Sequence, residues 1–127
     1  MGLLKKLFGR DESGPDTPIT VDVDARRDQL AELESAIDAL VQQMRSRSDL
    51  MENPGWRAKI TEFDLVASEA MQLRKATPTR ESLLDLAFEV RPAVNAKTAD
   101  GLDEVIALQG RALAAANALI EILPQER

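Results

Sequence analysis

The chain has 127 residues, a net charge of −6, and no His, Cys or Tyr. Without His or Cys it has no imidazole base, thiolate nucleophile, disulfide or ordinary zinc or haem site. We therefore expect a protein that is not an enzyme and that uses no cofactor and no metal. Nucleic acid is not an expected partner, because an acidic chain repels phosphates that Lys and Arg would have to neutralise.

The composition predicts an all-α fold. The commonest apolar residues are 18 Ala and 17 Leu, which are strong helix formers. A chain of this length suits one domain, and we expect a small antiparallel helical bundle of three long helices and one short one, with an N-terminal amphipathic tail. The predicted division is an amphipathic basic tail over residues 1–10, a flexible acidic linker over 11–21, and the bundle over 22–123.

The tail is the most informative segment. Placed on a helix, one arc of about 140° holds its apolar side chains, which are Leu3, Leu4, Leu7 and Phe8. The remaining arc holds its cations, which are Lys5, Lys6 and Arg10. This pattern is typical of a helix that lies in a membrane interface with its cations near anionic headgroups. All seven residues are predicted membrane-binding residues.

Residues Leu3 to Phe8 resemble the short amphipathic membrane-targeting helices at the ends of some bacterial peripheral proteins, including cell-division and membrane-stress factors. The resemblance covers about nine residues. It implies an address at the inner face of the cell membrane and nothing about the bundle.

The free-energy terms for such a tail nearly cancel. Four buried apolar side chains contribute ~1–2 kcal/mol each, and three cations about 1 kcal/mol each. Ordering ten residues costs ~1 kcal/mol or more per residue. One tail is therefore expected to bind weakly and reversibly, and two tails on a dimer more stably.

Other interpretations of the tail remain open at this point: it packs on the bundle as a strap, or it is a disordered start or a peptide that binds a partner. Either interpretation makes the protein a soluble helical interaction or chaperone-like module in the cytoplasm. No run of 18 apolar residues is present, so no spanning helix is expected. The apolar patch of the tail is also too short for a secretory signal.

The first helix is predicted from about Asp22 or Asp24 to about Met51. Between Leu30 and Met44 its apolar residues follow a 3, 4, 3, 4 spacing, which is a coiled-coil heptad pattern. Arg26 and Arg47 break the pattern near the two ends. The stripe either forms a homodimer or partner interface or faces the helix's own bundle. Its predicted contact residues are Leu30, Leu33, Ile37, Leu40, Met44 and Met51.

Three further helices follow in the sequence. One is predicted over residues 56–75, capped by Asn53 with Pro54 behind it. A short one is predicted over 79–90, with Thr77-Pro78 repeating that cap. The last is predicted over 101–122, with Asp100 as its N-cap and Gly110 at a close backbone contact.

Trp56 and Arg57 follow the turn at Asn53-Pro54-Gly55 and have a composition typical of protein interfaces. We predict them as further partner or self-association residues; the alternative is that Trp56 covers one end of the core. The acids of the first helix lie opposite its apolar stripe. They are therefore interpreted as a solvated face and not as a metal or catalytic site.

Overall fold

The computed structural model describes residues 20–95, 97 and 100–127. Over these residues the chain is helical and contains no strand, which confirms the all-α prediction. The elements in chain order are α1 (Val23–Ser46), α2 (Pro54–Lys75), α3 (Arg80–Glu89), α4 (Asp103–Ile120) and a 3-10 helix (Pro124–Glu126). The predicted amphipathic tail and most of the predicted linker lie outside the described residues.

Local capping sets the beginnings of the first three helices. The Asp22 carboxylate accepts from Ala25 N–H, and the Asn53 side chain accepts from Gly55 and Trp56 N–H, as the sequence predicted for Asn53. Thr79, and not Thr77, caps α3. Its hydroxyl accepts from Ser82 N–H while Ser82 bonds back to Thr79, which forms a capping box.

Helix α1 ends at Ser46, five residues before the predicted end at Met51. In a continuing helix the Met44 carbonyl would accept from Ser48. It accepts instead from the Trp56 indole N–H, at 2.9 Å, and from Arg47 N–H, at 3.3 Å. The packing of α2 against the end of α1 therefore stops the helix before its sequence pattern does.

Helix α4 begins at Asp103 with Leu102 at its N-cap position and no side-chain cap, so the prediction of Asp100 as the cap was wrong. Gly101 has φ of +75°, a left-handed conformation that glycine adopts at low cost. This turn separates Asp100 from the helix and delays the helix start.

Helix α1 lies at the centre of the fold and contacts both α2 and α4, while α3 contacts α4 and α2. The start of α1 meets the ends of α2 and α4, and the end of α1 meets their beginnings, so both neighbours run opposite to α1. Fully buried apolar side chains fill the space between the helices. The packed helices have the character of a bundle.

The bundle also extends beyond the predicted end at Leu123. Glu126 in the 3-10 helix is 6% exposed, and Val21, assigned to the linker from sequence, packs partly buried against the core. A buried partner for Glu126, described below, explains why the chain folds back there instead of fraying.

Gly110 makes no close contact, contrary to the sequence prediction. A Cβ built on it meets nothing within 4 Å, and the residue is exposed in the middle of α4. We expect Gly110→Ala to stabilise the protein by about 0.5–1 kcal/mol, because Ala has the higher helix propensity and a less flexible unfolded chain. Urea unfolding followed by circular dichroism measures this. A destabilised variant would show that α4 needs the glycine.

Candidate functional site

The heptad stripe of α1 lies in the core. Leu30, Leu33, Ile37, Leu40 and Met44 are each 0% exposed, and Met51 is partly buried against the same core. This placement matches the alternative in which the stripe faces its own bundle. Self-association through these side chains would require the bundle to open, and it stays a prediction.

Trp56 is half-buried and packs against the core beside the end of α1, where its indole N–H donates a hydrogen bond to the Met44 carbonyl. Arg57 is exposed, and its guanidinium donates to the Met51 carbonyl at 2.7 Å. Both residues thus support the turn between α1 and α2. The predicted membrane-binding residues of the tail lie outside the described residues.

A buried ion pair, which the sequence did not reveal, joins residues 100 positions apart. Arg26 Nε lies 2.9 Å from Glu126 Oε2, and Arg26 Nη2 lies 2.6 Å from Glu126 Oε1. Both side chains are 0% exposed. Arg26 also donates to the carbonyls of Leu119, Glu121 and Ala118 at the end of α4. We call this Arg26–Glu126 pair the clasp.

Backbone groups add a second hydrogen bond to each oxygen of the Glu126 carboxylate. Oε2 accepts from the Asp22 N–H at 2.8 Å, and Oε1 accepts from the Leu123 N–H at 3.0 Å. The hydrogen bonds from Arg26, followed by those from the two backbone groups, lower the pKa of Glu126 to about 2 against the opposing effect of burial. The clasp therefore holds the beginning of α1 against the C-terminal segment.

Two more arginines complete this end of the bundle. Arg27 donates to the carbonyls of Arg74 and Ala76 at the end of α2, each at 3.0 Å. Arg80 donates to the carbonyls of Leu119 and Ile120 at the end of α4. Guanidinium groups at helix C-termini satisfy carbonyls that lack partners and interact favourably with the helix dipole.

Three ion pairs cross the boundaries between α1 and its two neighbours. Arg74 pairs with Glu34, and Arg45 with Asp64, across the α1–α2 boundary. Arg111 pairs with Glu32 across the α1–α4 boundary. The Arg111 guanidinium, mainly by its hydrogen bonds, lowers the pKa of Glu32.

The α2–α3 boundary differs in its charge. A groove of about 350 Å³ lies there, and we call it the acidic groove. Its lining residues are Glu69, Gln72, Leu73, Ala76, Ser82, Asp85, Leu86 and Glu89. Within the described part of the chain, no Lys or Arg forms an ion pair with its three acids.

The acids of this groove repel one another. A hydrogen bond with Glu69 raises the pKa of Glu89, and desolvation and the charges of Glu69 and Asp85 act in the same direction. Two exposed apolar side chains lie nearby along the helices. Leu65, one turn before Glu69, is 59% exposed, and Phe88, next to Glu89, is 63% exposed. The groove thus carries negative charge that no ion pair neutralises among the described residues, and exposed apolar side chains lie near one of its ends.

Over the described residues, no group of three or more acids is placed to hold a metal ion.

One stretch, Asp103–Glu126, is long and apolar enough to cross a membrane by length and composition. It is not a continuous apolar run, because polar residues such as Gln109 and Arg111 interrupt it. Gln109 is buried and holds the Ala93 and Val94 backbone through three hydrogen bonds of 2.7 to 2.9 Å.

Comparison of the chain with known protein families, with curated proteins and with solved structures finds no match.

Proposed function

We propose that the protein is a non-enzymatic bacterial adaptor, attached peripherally to the cytoplasmic membrane by its N-terminal amphipathic helix. The pattern of residues 1–10 carries the proposal, since its apolar arc and its three cations match what an anionic lipid interface binds. The helical bundle then presents a surface to a protein partner or to a second copy. The acidic charge of the bundle favours a partner with a basic patch.

The position of the clasp is consistent with this proposal. The Asp22 N–H donates to the Glu126 carboxylate at the start of α1. The part of the chain that leads to the tail therefore leaves the bundle from a position that this hydrogen bond holds. Attachment through the tail leaves the packing of the helices intact.

Insertion of the apolar stretch Asp103–Glu126 is less favoured as a membrane attachment. Helix α4 supplies Val105, Ala112 and Leu119 to the core. Moving it into lipid would remove these side chains from the bundle and separate Arg111 from Glu32 and Arg26 from Glu126. The tail needs no such rearrangement.

Flotation with vesicles containing anionic lipid tests the proposal. We expect the intact chain to float at low salt and a chain lacking residues 1–10 to stay at the bottom. Leu7→Glu with Phe8→Glu should reduce binding at least tenfold, since burial of each side chain contributes ~1–2 kcal/mol. Raising the salt should weaken binding by screening the three cations.

A matched control carries the same charge change on the polar side of the tail, as Gly2→Glu with Gly9→Glu. It should retain more binding than the Leu7 and Phe8 double variant, because it leaves the apolar arc intact. If the intact chain stays in solution at low salt, the membrane proposal fails, and the soluble interaction or chaperone-like module takes its place.

A further inference from the structure

We propose that the acidic groove between α2 and α3 is a docking site for the chain's own basic tail, residues 1–10, when no lipid is present. Docking is a property of the chain alone. Its meaning as a resting state of a membrane anchor rests on the proposed function. The groove and the lipid interface would compete for the same apolar arc and the same cations.

The chemistry of the two surfaces is complementary. Glu69 stands on the α2 wall of the groove, and Asp85 and Glu89 on the α3 wall, with Leu73 and Leu86 between them. The tail offers an apolar arc flanked by Lys5, Lys6 and Arg10 with no acid. An amphipathic helix laid in such a groove buries its apolar arc and places its cations near the acidic walls.

Charge distribution distinguishes this groove from a second groove between α1 and α2. That groove is lined by three acids, Glu34, Asp38 and Asp64. Two of the three already pair with an arginine, Glu34 with Arg74 and Asp64 with Arg45. At the α2–α3 groove the neighbouring Glu69 and Asp85 carboxylates instead raise the pKa of Glu89, and a cationic occupant would relieve that repulsion.

Two exposed apolar side chains lie beyond the residues that line the groove. Leu65 is one turn before Glu69 on α2, and Phe88 is next to Glu89 on α3. Both therefore belong to the end of the groove that Glu69 and Glu89 line. A ten-residue helix, about 15 Å long, exceeds the roughly 10 Å of α2 between Glu69 and Ala76 and would extend toward Leu65.

The linker is long enough to reach. The Arg27 guanidinium, near the start of α1, bonds the Ala76 carbonyl, and Ala76 lines the near end of the groove. Residues 11–20 span up to about 33 Å when extended. A short linker of the kind that the sequence predicts would give the tethered tail an effective concentration in the millimolar range, so even weak contacts would populate the docked state.

Paramagnetic broadening in nuclear magnetic resonance spectra tests docking without lipid. The chain has no Cys, so Gly9→Cys gives a single site for a nitroxide label. At low salt we expect the amide signals of Glu69, Leu73 and Glu89 to lose about half their intensity or more if the effective concentration is near the dissociation constant. The signals of Gln43 and Glu104, at the far end of the bundle, should change much less.

Two variants of equal charge make the test specific. Glu69→Gln with Asp85→Asn should abolish the broadening of the groove signals. Glu52→Gln with Asp28→Asn changes two exposed acids outside the groove and should leave the broadening in place. Equal loss in both variants, or uniform broadening across the intact chain, would overturn docking in the groove.

Charge exchange supplies a second test. Lys5→Glu with Lys6→Glu should release the tail, and adding Glu69→Lys with Asp85→Lys should restore docking. In flotation, Glu69→Gln with Asp85→Asn should raise vesicle binding several-fold, because the released tail no longer has a competing site. Broadening without flotation would refute the membrane anchor alone, and flotation without broadening would refute the docking alone.

Discussion

Arg26→Met is expected to lower the free energy of unfolding by about 3–5 kcal/mol, because it leaves the buried Glu126 carboxylate without its counter-charge. It also leaves carbonyls at the end of α4 without a donor. For a domain of this size the loss corresponds to a decrease in melting temperature of roughly 10–30 °C. Thermal and urea unfolding followed by circular dichroism measure it.

Arg111→Met is the matched control. It removes a bidentate pair with Glu32 that joins α4 to α1, but here the side chains are 40% and 51% exposed. Exposed pairs of this kind contribute about 0–1 kcal/mol. If the two variants lose the same stability, the clasp contributes no more than a surface ion pair and our interpretation of it is wrong.

Acid provides a second measurement of the clasp. The pKa of Glu126 is lowered from 4.5 to about 2 in the folded protein, so the unfolded chain binds this proton first. The stabilisation is therefore fully present above about pH 4.5 and is lost as the pH falls towards 2, on the order of 3 kcal/mol in total. Glu126→Gln should remove this part of the pH dependence. The contributions from the lowered pKa values of Glu32 and Asp49 should remain in both the intact protein and the variant.

Ile37→Ala is expected to lower the free energy of unfolding by about 2–5 kcal/mol, because the side chain is fully buried at the middle of α1 and its truncation leaves a cavity in the core. The loss should not depend on protein concentration, since the core belongs to one chain. Unfolding at several concentrations, together with sedimentation equilibrium, measures this.

Leu65→Ala is the control for Ile37→Ala. It removes an exposed side chain of α2 and should change the free energy of unfolding by no more than about 0.5 kcal/mol. A melting temperature of the intact chain that rises with concentration, and an Ile37→Ala variant that removes this dependence, would indicate that the α1 stripe forms an interface between copies after all.

The features that sequence predicted well are local. Asn53 caps α2 because its own side chain reaches the next two backbone N–H groups, and the spacing from Leu30 to Met44 marks one face of α1 whatever lies against it. Such signals depend on neighbours within a few residues, and short-range patterns report them directly.

The features that sequence missed depend on distant partners. Arg26 looked like a defect in a heptad pattern, since nothing near it indicated Glu126, which follows Pro124 in a segment without periodicity. The early end of α1 depends on an indole from the next helix. Likewise, Glu69, Asp85 and Glu89 form one groove only after α3 packs beside α2.

The clasp also determines how the bundle would carry mechanical load. If the tail were held at a membrane and the bundle by a partner, the pulling force would enter the bundle at Thr20 and Val21. The first bonds to resist it would be the hydrogen bonds of Asp22 and Arg26 to Glu126. Tension would therefore pass from the first turn of α1 directly into the C-terminal segment and the end of α4, instead of peeling α1 away from its neighbours one turn at a time.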